Sequence, residues 1–223
     1  MTRETDGDLL NNGQPEKIHI QLSHYKQKYN WDCGISCVLM VLPTKDRKDF
    51  LTNFGQICKS EGFNKSTWTI DICYLLKRYR IKHTFYTVTL GIHEGYRGNS
   101  FYHHVLTKDE NRVNSRFETA KSVGIVVKKM LRFIVDHTSS SSQWAYNSID
   151  QCKNFKLELR KCIPWPIPYQ GHYIVVCGYD VHTRKVFYRN PSFGDHVCTM
   201  PLETLDQARK SYGTDEDIIF IFS

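Results

Sequence analysis

The chain has 223 residues, of which 40% are hydrophobic and 24% are charged, an ordinary balance for a folded globular protein. This length accommodates one sizeable domain with its own core, and two domains would be cramped. The formal net charge of +7 comes from scattered residues, with no run of five or more like charges, so we expect no nucleic-acid partner.

The start of the chain and its cysteines indicate an intracellular protein. The first thirty residues are polar and lack the apolar core of a signal peptide, and no stretch approaches the roughly 18 apolar residues of a membrane helix. We therefore expect a protein of the cytoplasm or nucleus with no membrane span. The eight cysteines are interpreted as free thiols because the chain is expected to be intracellular. None forms a C-x-x-C pair, so we expect no structural metal.

The first half of the chain is predicted to be mainly helical. A flexible arm at residues 1–16, rich in Gly, Asn and charge, is expected to precede a single domain at residues 17–223. Apolar alternation predicts a short strand at residues 18–22. Helical periodicity and helix-start signals predict helices at residues 33–42, 48–59, 66–80 and 111–122. Strands are predicted at residues 83–90 and 124–127.

The last part of the chain predicts a sheet. A buried strand at residues 172–178 and a returning strand at residues 186–189 form a hairpin, and a helix at 202–211 leads to a last strand at 218–222. Between the halves we expect a short strand at 131–135, a flexible serine tract at 138–142 and an irregular, proline-rich stretch at 143–170. Helices followed by strands indicate an α+β fold, with N-terminal helices packed on a C-terminal antiparallel sheet.

Cys33 is the first candidate for chemistry. It begins a largely apolar helix that Pro43 ends, because proline has no N–H and its ring clashes with the preceding turn. The unpaired N–H groups at a helix start favour a thiolate, and Gly34 is expected to leave the neighbouring backbone open to a ligand. The alternative is that Cys33, like Cys37, simply fills core space.

Three other residues supply the remaining roles of a thiol-nucleophile site. His172 begins one strand of the predicted hairpin and Asn190 ends the other, so the two side chains are expected to meet. His172 would be the general base, Asn190 would orient its ring, and the Gln27 amide would donate to the oxyanion. Taken singly, each also fits an ordinary structural role: a strand-end histidine, a turn-forming asparagine and a surface glutamine.

Some of these motifs resemble known families. Gln27-x5-Cys33 and Asp32-Cys33-Gly34 resemble the papain-like superfamily, especially the peptidase domains of bacteriocin-processing transporters. This resemblance implies a papain-like cysteine peptidase fold. The chain is more similar, over nearly its whole length, to the eukaryotic guanylyl cyclase domain-containing protein family. The motifs of that similarity are Asp32-Cys33-Gly34, residues 171–175, Tyr179, Asn190-Pro191 and residues 211–217.

Three functions follow as hypotheses. The main one is a cysteine hydrolase that cleaves an amide or related acyl bond of a peptide or protein substrate and needs no cofactor. The family name implies instead the conversion of GTP to cyclic GMP, for which carboxylates would hold a divalent metal such as Mg²⁺. The third is a non-catalytic binding protein on the same scaffold. The carboxylates available for the second are Asp180, Asp195, Asp215, Glu216 and Asp217.

No spacing among these carboxylates marks a metal pair. The run at residues 215–217 is interpreted as a solvated turn before the last strand.

Overall fold

A computed structural model of the chain describes residues 3–9, 15–63, 65–98, 100–130, 145–148, 171–211 and 213–222. The helices are α1 (Cys33–Val41), α2 (Thr44–Thr52), α3 (Phe54–Ser60), α4 (Thr69–Arg78), α5 (Ser100–Thr119) and α6 (Leu202–Arg209), with a 3₁₀ turn at Glu94–Gly98. The strands are β1 (Arg3–Leu9), β2 (Pro15–Ile20), β3 (Lys82–Thr87), β4 (Val126–Lys129), β5 (Ala145–Ser148), β6 (Tyr173–Asp180), β7 (Lys185–Arg189), β8 (Cys198–Pro201) and β9 (Ile218–Phe222).

These strands form one nine-stranded sheet in the order β1-β2-β6-β5-β9-β3-β4, and β7 leaves this path by pairing with β6 and β8. All pairs are antiparallel except β3 with β4, which run parallel. The combination of helices and a mainly antiparallel sheet is the α+β class. The sheet does not come from the C-terminal half alone, because the N-terminal half contributes β1, β2 and β3.

Several predicted boundaries differ from the structure. Within the predicted arm, β1 pairs with β2, and its polar sequence carries no alternation that would reveal a strand. The helix predicted at 48–59 is two helices that meet at Asn53, and the one predicted at 111–122 is the end of the longer α5. Strand β8 was missed. The predictions for 131–135, 138–142 and most of 143–170 lie outside the described residues.

Helix α1 lies at the centre of the core. All nine of its residues are buried, as expected of a helix that is apolar on every side, and it packs against β6 and α4. It ends where the sequence predicts, because Pro43 follows Leu42 and proline cannot continue the helix. Pro43 is also the residue that directly precedes α2. Truncating a fully buried member such as Leu39 to Ala would cost about 2–5 kcal/mol of stability.

The β6–β7 hairpin places the start of β6 next to the end of β7. Val175 pairs with Arg189 in its register, so His172, just before β6, and Asn190, just after β7, lie at the same end.

On the other side of β6, Gly178 faces β2 at very close range. A Cβ atom added there would lie 2.0 Å from the Ile18 carbonyl oxygen, so only glycine fits.

A buried ion-pair network attaches α5 to α4. Arg116 donates to the Asp71 carboxylate at 2.8 Å and to the Glu61 carboxylate at 2.7 Å, and Arg112 lies 3.2 Å from Asp71. Burial raises the pKa of Asp71 to about 6, and the two guanidinium groups act in the opposite direction. Removing one partner of such a pair leaves an uncompensated buried charge, which makes these contacts sensitive points of the fold.

Among the helices of the described residues, none combines the length and apolarity that crossing a bilayer requires. The single domain expected at residues 17–223 stays a prediction.

Candidate functional site

The structure brings His172 and Asn190 together in a buried hydrogen bond. The His172 Nε2 atom lies 3.0 Å from Asn190 Oδ1, and the two residues are only 6% and 3% exposed. The backbone N–H of Ser192 donates to the same Oδ1 atom at 2.9 Å, which identifies that atom as the acceptor. His172 therefore donates through Nε2–H, and its Nδ1 atom carries the lone pair.

His172 is neutral at physiological pH. Burial lowers its pKa to about 4, and the hydrogen bond to Asn190 offsets only part of that effect. The neutral Nε2–H tautomer has the form that a general base needs, although so low a pKa makes it a weak base near neutrality.

Cys33 lies beside the start of β6. It is the first residue of α1 and is 5% exposed, and the backbone N–H groups of Tyr173 and Gly34 hydrogen-bond its sulfur. Tyr173 directly follows His172, so the early helix and the late sheet meet at this point. The expectation of a stabilised thiolate was wrong. Burial, with a smaller contribution from nearby Asp32, raises the pKa of Cys33 to about 11, and the backbone donors do not compensate.

The space beside Gly34 is filled by protein. A Cβ atom at this position would lie 2.7 Å from Ile72 Cδ1 and 3.2 Å from Tyr173 Cδ2. Glycine is thus required for the close approach of α1 to α4 and β6, and the expectation that it leaves room for a ligand was wrong.

Gln27 is anchored to the segment that carries Asn190. Its backbone N–H donates to the Pro191 carbonyl at 2.9 Å, and its Oε1 atom accepts from the Ser192 hydroxyl at 2.8 Å. One N–H of its side-chain amide donates to the Tyr29 carbonyl at 2.8 Å. Ser192 therefore links the Gln27 side chain to the Asn190–His172 pair, a connection that the sequence did not reveal.

Asp32 organises the loop that precedes Cys33. Its carboxylate is 3% exposed and accepts the backbone N–H groups of Tyr29 at 3.0 Å and Lys28 at 3.2 Å. An aspartate just before a helix usually suggests an N-cap, but this side chain makes no cap bond and folds back on the loop instead. In the sequence, Asp32 stands out only as part of a motif, and no local pattern reveals this role.

The four predicted residues therefore lie around the junction of α1, β6 and the 190–192 segment. The His172–Asn190 contact is present, and Cys33 contacts the residue next to His172. Their catalytic roles stay predictions.

The carboxylates considered for a metal lie in three separate places, because Asp180 and Asp195 are at opposite ends of the β6–β7 hairpin. Asp180 caps the β6–β7 turn by accepting the Thr183 N–H at 2.9 Å, and Asp195 pairs with Arg189 at 2.7 Å. The others precede β9, where Glu216 lies 3.3 Å from Arg209.

The turn expected at residues 215–217 is present, but the interpretation of this run as solvated was wrong. Asp217 is 8% exposed, and the side chains of Thr69 and Thr87 hydrogen-bond its carboxyl group. Burial and the neighbouring Asp215 raise its pKa well above the ordinary value. Asp217 is accommodated in the interior because hydroxyls of α4 and β3 hydrogen-bond it, while Asp215 and Glu216 are half-buried. A charged tripeptide does not reveal such a long-range contact.

These carboxylates do not fit a divalent metal. Within the part of the chain that the structure describes, no group of three or more His, Cys, Asp or Glu side chains is placed to hold a metal ion. The raised pKa of Asp217 favours a protonated acid, which is a poor ligand for Mg²⁺. No chemical step is therefore assigned to a metal held by these residues.

Comparison with known proteins places the chain in a family. A family model described as guanylylate cyclase matches residues 22–221, so the chain belongs to this guanylyl cyclase family. Among curated proteins, the chain is similar to Guanylyl cyclase 1 of Arabidopsis thaliana, with 32% identity over 228 residues. That alignment covers 97% of this chain and 81% of the relative. The resemblance to the guanylyl cyclase domain-containing family is confirmed, whereas these comparisons do not support the resemblance to papain-like peptidases.

Proposed function

We propose that this protein is a guanylyl cyclase that converts GTP to cyclic GMP and pyrophosphate. In this reaction the ribose 3′-oxygen bonds to the α-phosphorus, the bond from that phosphorus to the pyrophosphate oxygen breaks, and the 3′-hydroxyl proton passes to a base. The observation that carries the proposal is the family match across residues 22–221. Similarity to a relative named Guanylyl cyclase 1 over 97% of this chain supports it further.

The state of Cys33 also favours this function over thiol chemistry. A nucleophilic cysteine needs an accessible sulfur and an appreciable thiolate fraction. The Cys33 side chain is buried, and a pKa of about 11 leaves it almost entirely protonated at neutral pH. An arrangement of this kind suits a packed core thiol better than an activated nucleophile.

The test is the formation of cyclic GMP by the purified protein. GTP is supplied as its magnesium complex, and cyclic GMP and pyrophosphate are quantified by mass spectrometry. We expect both products in equal amounts from GTP and none from 3′-deoxy-GTP, which lacks the attacking oxygen. GTP that remains unchanged under these conditions would overturn the proposal.

A second candidate is a cysteine hydrolase on a papain-like scaffold, and one observation favours it. The Asn190 carbonyl fixes the Nε2–H tautomer of His172 and leaves Nδ1 able to accept a proton. The Cys33 sulfur would bond to the acyl carbon, the C–N bond would break, and His172 would pass the thiol proton to the leaving amine. Gln27 would donate to the oxyanion, and water would hydrolyse the thioester.

Thiol labelling separates this candidate from a binding protein that has no chemistry. If His172 activates Cys33, iodoacetamide labels Cys33 faster than Cys37, and His172→Ala slows the labelling. Equal and slow labelling of both cysteines, with no cyclic GMP from GTP, would instead indicate a non-catalytic scaffold.

A further inference from the structure

A small open cavity lies beside α1 at the loop that precedes Cys33. Its volume is about 90 Å³, and aromatic and aliphatic side chains from the loop, α2 and α3 form much of its wall. Helix α1 contributes Ser36 among other residues, and the loop contributes Asp32 and Lys28. A mainly apolar cavity with a few convergent polar groups is the usual form of a small-molecule site.

The wall of this cavity contains an unsatisfied polar group, the Ser36 hydroxyl. The residue is 1% exposed, and its Oγ atom has no hydrogen-bond partner among the described residues. A buried hydroxyl without a hydrogen-bond partner is destabilising, so such a group calls for an explanation. A polar atom of a ligand in the cavity would satisfy it.

Asp32 adds unused acceptor capacity in the same cavity. Each of its carboxylate oxygens accepts one backbone N–H, from Tyr29 and from Lys28. A carboxylate offers about four acceptor positions, so roughly two remain. A ligand with two neighbouring N–H donors would match them, and a carbonyl oxygen beside those donors would match the Ser36 hydroxyl.

The aromatic wall favours a flat ligand. Tyr29 is 52% exposed, and its ring stacks on Trp31 with 5.8 Å between centroids and 9° between planes. This stacking holds the Tyr29 ring in place beside the cavity. A planar base lying against an aromatic ring is stabilised by stacking, and the Lys28 ammonium supplies positive charge for an attached phosphate.

We propose that this cavity binds the guanine base of a guanine nucleotide. Asp32 accepts the N1–H and the exocyclic amino group, Ser36 donates to O6, and Tyr29 stacks on the ring. Adenine does not present two neighbouring donors at this edge, so the arrangement selects guanine. The cavity holds the six-membered ring edge of the base, and the ribose and phosphates lie outside it. The proposal rests on the proposed cyclase function, from which it takes GTP as the substrate.

The test measures nucleotide binding by isothermal titration calorimetry with 3′-deoxy-GTP, which cannot be cyclised. We expect the full chain to bind this probe at least about tenfold more tightly than 3′-deoxy-ATP. Ser36→Ala removes only the unpaired hydroxyl and should weaken binding about fivefold without loss of folding. Leu51→Arg places bulk in the cavity wall and should weaken binding by about tenfold or more, although its added charge alone would strengthen phosphate binding.

Leu90→Arg is the matched control, because Leu90 is exposed and does not line the cavity. This variant should bind the probe like the wild type. If Ser36→Ala and Leu51→Arg also bind like the wild type while GTP still yields cyclic GMP, the cavity proposal is overturned and the cyclase survives. If the wild type neither binds the probe nor produces cyclic GMP, both proposals fail.

Discussion

The lowered pKa of His172 predicts how the stability of the folded protein depends on pH. Its pKa is about 4 in the folded protein, against about 6.5 for an unperturbed histidine. The unfolded chain therefore takes up a proton at this residue before the folded chain does. The contribution of neutral His172 to the free energy of unfolding is fully present above about pH 6.5, and it is lost as the pH falls toward 4.

The size of this effect follows from the two pKa values. At about pH 5.5 the difference costs about 1.4 kcal/mol of folding free energy, and at about pH 4.5 it costs about 2.5 kcal/mol. His172→Gln removes the titration, while the glutamine amide can still donate to Asn190. We expect urea unfolding between about pH 4.5 and pH 7.5 to show a pH dependence that is flatter for the variant by these amounts.

His196→Gln is the control, because it also removes one histidine but from an exposed position. That variant should retain the steep loss of stability in acid. Identical pH profiles for the wild type and His172→Gln would refute the reasoning, since His172 would then titrate alike in the folded and unfolded chains.

Three further predictions concern packing, charge and the thiol. Gly34→Ala should lower stability by about 1–2 kcal/mol, because its Cβ would lie 2.7 Å from a buried isoleucine. A Cβ atom added at Gly55 would have no neighbour within 4 Å. Gly55→Ala should therefore raise stability by up to about 1 kcal/mol, as measured by thermal melting. Arg116→Met removes ion pairs to two carboxylates and should cost about 3–5 kcal/mol in urea unfolding. Cys33 should react with iodoacetamide more slowly than the half-buried Cys58 at neutral pH, with a rate that rises about tenfold per pH unit below its pKa of about 11.

Each of these has an outcome that contradicts it. Equal melting temperatures for the two glycine variants would show that α1 has room at Gly34. A loss below about 1 kcal/mol for Arg116→Met would mean that the network is solvated. Fast labelling of Cys33 at neutral pH would show an activated thiolate and revive the hydrolase candidate.

Local signals predicted the elements that build the site. The apolar run that Pro43 stops gave the bounds of α1 to within one residue, because proline geometry acts locally. The apolar run at residues 172–178 and the returning strand at 186–189 predicted the β6–β7 hairpin, and hairpin geometry then placed His172 beside Asn190. These predictions succeed because each depends on neighbours in sequence or on one tight turn.

The chemistry of the site depended on contacts that the sequence does not display. Burial of the Cys33 sulfur raises its pKa and outweighs the helix start that suggested a thiolate. The charged appearance of Asp217 suggested solvent, yet hydroxyls from α4 and β3 bury and satisfy it. Side chains distant in sequence set the dielectric environment of both groups, so their pKa values could not be inferred from local pattern.

The central claim is that this chain makes cyclic GMP from GTP without using Cys33 as a nucleophile. Its most direct test compares the rate of cyclic GMP formation by the wild type and by Cys33→Ala from parallel preparations. The account predicts the same rate of formation from both proteins. No cyclic GMP from the wild type, or activity that disappears with the Cys33 sulfur, would contradict it.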